Sequence, residues 1–154
     1  KIMEITVEDI KKLREETEAG VMACRSALED CRGNFEKAKG MLREQGIAKA
    51  EKKAEREVKS GLVEAYVHGD GRVGVLLELN CETDFVARNE NFKKLAHELA
   101  LQIASMSPKD PADLLIQAYI RDPKITVSDM IKEVIAKTGE NIQVGRFSRF
   151  AVGE

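Results

Sequence analysis

The sequence predicts an α+β protein in which a helical N-terminal part precedes a domain built on antiparallel strands. Apolar residues recur every three or four positions up to about residue 46, which is the period of an α-helix. From Gly61 the period changes to two, and a turn at Gly69–Arg72 joins two alternating segments, as in a β-hairpin. Strands joined by so short a turn pair antiparallel, and helices combined with an antiparallel sheet define the α+β class.

The helical part is predicted to contain three short helices. Thr6–Asp9 resembles a capping box, with Asp in place of the more common Glu. Gly20 interrupts the first apolar pattern, Asn34 can cap a third helix, and Gly46 is expected to end that helix. We therefore expect a three-helix module over residues 1–46.

A charged segment follows this module. Eight of the eleven residues from Lys49 to Lys59 are charged, with both signs interleaved among alanines. Mixed charge of this kind is typical of a solvated helix face rather than of a binding patch. Residues 47–60 are therefore predicted to form a helical linker.

The remaining chain, 61–154, is predicted to form the antiparallel-sheet core. The hairpin has one face more apolar than the other, and a helix follows over Phe92–Ala104. A further helix begins at Thr126 and ends at Gly139, and a strand over Asn141–Val152 closes the chain. Between the two helices, residues 107–124 contain all three prolines and are predicted to be a connector.

The composition excludes several classes of function. Of the 154 residues, 43% are hydrophobic and 34% are charged, which argues against disorder. The net charge of −2 argues against a nucleic-acid partner, and no apolar run approaches the roughly 18 residues of a membrane helix. The first residues lack the apolar stretch of a signal peptide, so we expect a cytoplasmic protein, or an organellar one if a transit peptide has been removed.

No pattern in the sequence predicts an enzyme. The run Gly69–Gly74 matches G-x-G-x-x-G, but an alternating strand follows it where a dinucleotide site needs a helix, so the glycines are expected to serve the turn. No nucleophile–base pair is evident. Because the three cysteines and two histidines do not have metal-ligand spacing, we expect free thiols and no cofactor; these residues are Cys24, Cys31, Cys81, His68 and His97.

Two places could contact a partner. Polar residues in Thr83–Asn91 can cap the helix that follows, but they do not account for Phe85. Phe85 either extends the apolar stripe of that helix, seven positions before Phe92, or lies on the connecting loop as a contact residue. At the start of the second helix, Val21 and Met22 are adjacent, so both cannot face a three-helix core and one of them is expected at the surface.

These two places also carry a family resemblance. The stretch Leu13–Leu28 resembles the N-terminal signature of bacterial and organellar translation elongation factor Ts, L-R-x-x-T-G-A-G-M-M-D-C-K-x-A-L. The stretch Asn80–Asn89, N-C-E-T-D-F-V-A-R-N, is similar to the second signature of that family almost letter for letter. Gly139–Ile142, with Arg146-Phe147 after it, is a third match in the family's order.

The resemblance implies a guanine-nucleotide exchange factor for elongation factor Tu, with a ubiquitin-associated-like N-terminal module. The partner would be bound in its GDP-bound and nucleotide-free forms, and its magnesium would be displaced during exchange. By motif match, the residues at the magnesium site are Thr83, Asp84, Phe85 and Val86, and those of the N-terminal contact are Arg14, Val21 and Met22. The alternative is a ubiquitin-associated-like binding module on a dimerising core, without exchange activity.

The chain also departs from the family pattern. Glu18 stands where the family usually has Gly, and if that position has positive φ, Glu18 costs on the order of 1 kcal/mol there. Val21 replaces Met, Ala23 replaces Asp and Gly145 replaces Arg. The connector 107–124 stands in place of the family's long helical middle region. A core shortened in this way is expected to expose an edge strand and an apolar face, which predicts a homodimer.

Overall fold

The computed structural model describes residues 3–154 and confirms the α+β class. The chain divides into two compact units, one ending at Lys49 and one comprising Ala50–Glu154. The first two residues of the predicted N-terminal module lie outside the described residues. No helix in the described range is long and apolar enough to cross a membrane.

Three helices form the first unit, α1 (Val7–Thr17), α2 (Val21–Asp30) and α3 (Phe35–Glu51), of which α3 runs two residues past the boundary at Lys49. Both predicted N-terminal caps are present. In the capping box, the Asp9 amide donates to Thr6 Oγ1 at 3.2 Å and the Thr6 amide donates to Asp9 Oδ2 at 3.0 Å. The Lys37 amide donates to Asn34 Oδ1 at 3.0 Å. The helices enclose a small aliphatic core of Leu13, Cys24, Ala27, Leu28, Ala38 and Leu42.

The predicted helix stop at Gly46 is wrong. Helix α3 continues through it to Glu51, and the chain then makes turns over residues 52–56 before the first strand. A glycine inside a helix costs only about 1 kcal/mol relative to alanine, and the alanines and charged residues that follow are good helix formers. Only the first part of the segment predicted as a helical linker, residues 47–60, is therefore helical.

The second unit is built on a three-stranded antiparallel sheet. Its strands are β1 (Ser60–His68), β2 (Val73–Cys81) and β5 (Ile142–Ala151), in the order β1-β2-β5. Two helices, α5 (Glu90–Met106) and α7 (Val127–Thr138), contribute to the core on one side of it. The largest fully buried side chains of this unit are Phe92, Leu77, Leu79, Leu99, Ile103 and Leu114.

The other face of the sheet is also apolar, which the alternation in the hairpin does not predict. Tyr66 pairs with Val75, and Val67 pairs with Gly74, so the apolar residues of β1 alternate out of phase with those of β2. Cross-strand partners share a face. The consequence is an exposed set, here called the outer sheet face, in which each side chain is at least half exposed: Val63, Val67, Leu76 and Phe150.

The predicted connector, residues 107–124, has regular structure of its own. It contains α6 (Pro111–Ile116), capped by Asp110, and a two-stranded ladder of β3 (Ala118–Tyr119) and β4 (Asp122–Thr126). Gln102 of α5 is buried and holds the ladder, because its side chain donates to the Ala118 carbonyl at 3.1 Å and accepts from the Ile120 amide at 3.0 Å.

Candidate functional site: an exposed phenylalanine on an anchored turn

The segment between β2 and α5 forms a separate helical turn, α4 (Asp84–Ala87). Thr83 caps α4, and its Oγ1 accepts from the Val86 amide at 3.4 Å. Asn89 then caps α5, and its Oδ1 accepts from the Asn91 amide at 2.8 Å. Because α4 ends at Ala87 and Asn89 starts a new helix, Phe85 does not continue the apolar stripe of α5. Phe85 is instead 82% exposed, and it lies on the short helix α4 rather than on an irregular loop.

The neighbouring side chain anchors the turn. Val86 is 4% exposed and belongs to the core of the second unit. The family resemblance implies that Val86 is a contact residue, whereas the structure places its side chain in the core. This burial anchors α4 to the domain next to the exposed ring of Phe85.

Polar contacts hold the start of the turn as well. Ser60 Oγ, at the beginning of β1, donates a hydrogen bond to Asp84 Oδ1. The Asp84 side chain remains exposed. An exposed carboxylate therefore lies next to the exposed ring of Phe85, on a turn whose backbone is held from two sides.

Sequence reasoning assigned no role to Glu140, which makes three of these contacts. Its Oε1 accepts from the Thr83 amide at 2.9 Å and from the Glu82 amide at 3.1 Å, and its Oε2 accepts from Thr83 Oγ1 at 2.7 Å. Glu140 follows Gly139, which ends α7 in the left-handed conformation with φ 78°. The third family match, Gly139–Ile142, was the only sequence signal for this position.

The cysteine beneath the turn is not set up for nucleophilic chemistry. Burial raises the pKa of the Cys81 thiol, and the charge of the Glu140 carboxylate raises it further. The thiol donates to the Thr83 carbonyl at 3.2 Å. A neutral, hydrogen-bonded thiol supports the turn rather than attacking a substrate, since the thiolate is the reactive form.

The second candidate surface lies on the first unit, at the loop between α1 and α2. Val21 is 46% exposed and Met22 is 67% exposed, so both are at the surface, where the sequence predicted one. Arg14 is also exposed, in the last turn of α1. Glu18 ends α1 with φ 56°, so this position does have the left-handed conformation that favours glycine.

The two surfaces belong to different units of the chain. Thr83, Asp84, Phe85 and Val86 are contiguous on α4 and its cap, whereas Arg14, Val21 and Met22 surround the α1–α2 loop. Among residues 3–154, no three histidine, cysteine or acidic side chains are grouped so that they could hold a metal ion. Each surface combines exposed apolar and charged side chains.

Comparison with known proteins identifies the family. A family model described as elongation factor TS matches residues 82–154, which include α4 and Glu140. Elongation factor Ts of Fervidobacterium nodosum is 44% identical over 197 aligned positions, covering 99% of this chain and 100% of the relative. The Thermotoga neapolitana protein is 45% identical over 195 positions, covering 99% of each chain. Both alignments are longer than this 154-residue chain, since the relatives carry segments that it lacks. The chain belongs to the elongation factor Ts family and is a translation elongation factor.

Proposed function

We propose that this chain is a guanine-nucleotide exchange factor that binds elongation factor Tu and promotes the release of GDP from it. The observation that carries the proposal is Phe85, a large apolar side chain that is 82% exposed on a turn anchored by Val86. Phenylalanine is one of the residue types enriched in the cores of protein–protein interfaces, so a partner that buries this ring gains hydrophobic free energy. Membership of the elongation factor Ts family supports elongation factor Tu as that partner.

The proposed mechanism needs no covalent step, so we do not propose an enzyme. Burying Phe85 in the nucleotide domain of the partner contributes roughly 1.5–3 kcal/mol, which can offset the cost of distorting that domain. Asp84 brings a negative charge beside the inserted ring. Magnesium requires near-ideal octahedral geometry, so a small displacement of its surroundings weakens its hold on the nucleotide.

Exchange then follows from thermodynamic coupling. If the bound factor lowers the affinity of elongation factor Tu for GDP, GDP must lower the affinity for the factor by the same ratio. The factor therefore binds the GDP-bound form weakly and the nucleotide-free form tightly. In this scheme the exposed residues Arg14, Val21 and Met22 form a second contact, which adds affinity without acting on the magnesium site.

We also propose that the working unit is a homodimer and that it acts in the cytoplasm, where translation elongation takes place. The outer sheet face, Val63, Val67, Leu76 and Phe150, is exposed and apolar. Gly74 on the middle strand pairs with Val67 of β1 on one side and with Phe150 of β5 on the other. The side chains of Val67 and Phe150 therefore flank a position that has no side chain. Sheets with apolar faces pack face to face about 10 Å apart, and two copies of one face can cover each other around a two-fold axis.

Release of fluorescent GDP from elongation factor Tu tests the proposed exchange activity. We expect the wild-type protein, added at catalytic concentration with excess unlabelled GDP, to accelerate the loss of fluorescence severalfold or more. The Phe85→Ala variant is the matched comparison, because it removes the exposed ring alone. An unchanged release rate with the wild-type protein would show that the chain is not an exchange factor for this partner.

A further inference from the structure

The residues just before the turn that carries Asp84 and Phe85 are hydrogen-bonded to a side chain distant in sequence. Glu140 lies 57 residues after Thr83 in sequence, yet its carboxylate accepts from the Thr83 amide, the Glu82 amide and the Thr83 hydroxyl, at 2.7–3.1 Å. The Thr83 hydroxyl oxygen in turn accepts from the Val86 amide at 3.4 Å. A continuous set of hydrogen bonds therefore runs from Glu140 through Thr83 into the backbone of α4.

The two segments are hydrogen-bonded in both directions. Glu82 Oε2 accepts from the Asn141 amide at 3.2 Å, so each of the two segments receives a carboxylate from the other. The Asn141 side chain is almost completely buried and donates to the Ala54 and Arg56 carbonyls at 3.3 and 2.8 Å. Glu140 is thus presented from a segment that has little freedom to move.

We infer that Glu140 is a positioning residue for Asp84 and Phe85, and that its carboxylate fixes the direction in which they project towards the partner. This inference rests on the proposed exchange function. Glu140 acts through Thr83, because its hydrogen bonds end on the residues that precede α4. Charge-assisted bonds to backbone amides are stronger than neutral ones, so a single carboxylate is sufficient for the task.

The test measures binding to nucleotide-free elongation factor Tu. Glu140→Ala is expected to weaken binding about tenfold, equivalent to about 1.4 kcal/mol, because the turn must then be ordered during association. Glu140→Gln retains an oxygen that accepts from both amides, so we expect it to bind within about threefold of the wild type. Asp129→Ala is the matched control, since Asp129 also accepts from a backbone amide, that of Thr126, at the opposite end of α7.

A double-mutant cycle separates positioning from a general loss of structure. In the double variant Asp84→Ala with Phe85→Ala, the side chains that Glu140 positions are absent. Adding Glu140→Ala to that variant is therefore expected to change its affinity for nucleotide-free elongation factor Tu by less than about twofold. Equal weakening in both backgrounds, or weakening by Asp129→Ala to the same degree, would overturn the inference. If Glu140→Ala does not fold, as judged by circular dichroism, the same cycle with Glu140→Asp decides the question, because the shorter side chain keeps the charge but withdraws the carboxylate from Thr83 and Glu82. Failure of the wild-type protein to bind would instead contradict the proposed function.

Discussion

Phe85 and Phe92 are seven residues apart in sequence and have opposite environments. Phe92 lies in the first turn of α5 and is completely buried, whereas Phe85 lies on α4 and is 82% exposed. Two full helical turns cover about seven residues, so in one continuous helix both rings would face the same side. The Asn89 cap between them starts a new helix and so allows one phenylalanine to build the core while the other faces solvent.

This contrast makes the pair a matched test of function against stability. We expect Phe85→Ala to reduce the rate of GDP release about tenfold to hundredfold, from the roughly 1.5–3 kcal/mol of lost burial in the complex. Because the ring is exposed, its loss should change the free energy of unfolding by less than about 0.5 kcal/mol. Phe92→Ala should instead destabilise the protein by about 3–5 kcal/mol. Denaturant unfolding measures the stability of each variant, and the exchange assay measures its effect on GDP release. A large loss of stability in Phe85→Ala would contradict an exposed role for this side chain.

The sequence was a good guide to local structure and a poor guide to long-range contacts. The capping box at Thr6, the helix start at Thr126 and the helix stop at Gly139 are local, since each depends on residues within a few positions, and all are present. The apolar outer sheet face depends on the pairing of β1 with β2, and the role inferred for Glu140 depends on a contact 57 residues away. Neither is encoded in a local pattern.

For the candidate site too, the sequence predicted some features and missed others. Family motifs placed Phe85 and Met22 at contact positions, and both are exposed. They also implied a contact role for Val86, which is buried, because a motif matches residue types but carries no information on which side chains face inwards. The hydrogen bond from Ser60 to Asp84 joins the start of β1 to α4, and no motif included Ser60.

The left-handed residue at the end of α1 gives a prediction about stability. Glu18 has φ 56°, a conformation that costs a side chain with a Cβ atom about 1 kcal/mol relative to glycine. We therefore expect Glu18→Gly to stabilise the first unit by about that amount. Glu15→Gly is the control: Glu15 lies inside α1, where glycine should destabilise by about 1 kcal/mol. Thermal unfolding of the two variants should give shifts of opposite sign, and shifts of the same sign would refute the argument.

The close approach of two strands gives a second prediction about stability. Gly61 has φ 152°, and a Cβ atom there would overlap the Leu79 carbonyl oxygen and lie 2.9 Å from Asn80 Cα. Both neighbours are backbone atoms of β2 and cannot rotate away, so Gly61→Ala should cost about 1–3 kcal/mol. Gly74→Ala is the control in the same hairpin, because its nearest neighbour is 4.0 Å away. Chemical denaturation should show little or no loss for Gly74→Ala.

The proposed dimer can be tested through Phe150, the aromatic residue of the outer sheet face. Phe150→Asp places a charge on the outer sheet face, where a second copy would have to bury it without a partner, at a cost of several kcal/mol. We expect light scattering at micromolar concentration to give a dimer mass for the wild type and a monomer mass for this variant. Ile116→Asp, an equally exposed apolar position on α6, should leave the mass unchanged. A monomeric wild type would refute the dimer without affecting the proposed exchange activity.

Tyr119, in the two-stranded ladder of the connector, predicts how stability depends on alkaline pH. Burial raises the pKa of Tyr119 from 10.0 to about 12, and the Glu98 carboxylate, which accepts from its hydroxyl at 2.9 Å, adds to the increase. The folded state therefore keeps the proton more tightly than the unfolded state does. This contribution to stability is fully present below pH 10 and is lost as the pH rises through about 12.

Lysines also titrate in this range, so the signal is a difference between variants. Tyr119→Phe should lose less stability than the wild type between pH 10 and pH 12, because it has no phenol to ionise. In a Tyr66→Phe background, ultraviolet absorbance of the phenolate reports Tyr119 alone. Glu98→Gln should lower that pKa only in part, since burial is the larger cause and remains. A Tyr119 that ionises near its ordinary pKa of 10.0 would mean that the phenol is neither desolvated nor held by Glu98.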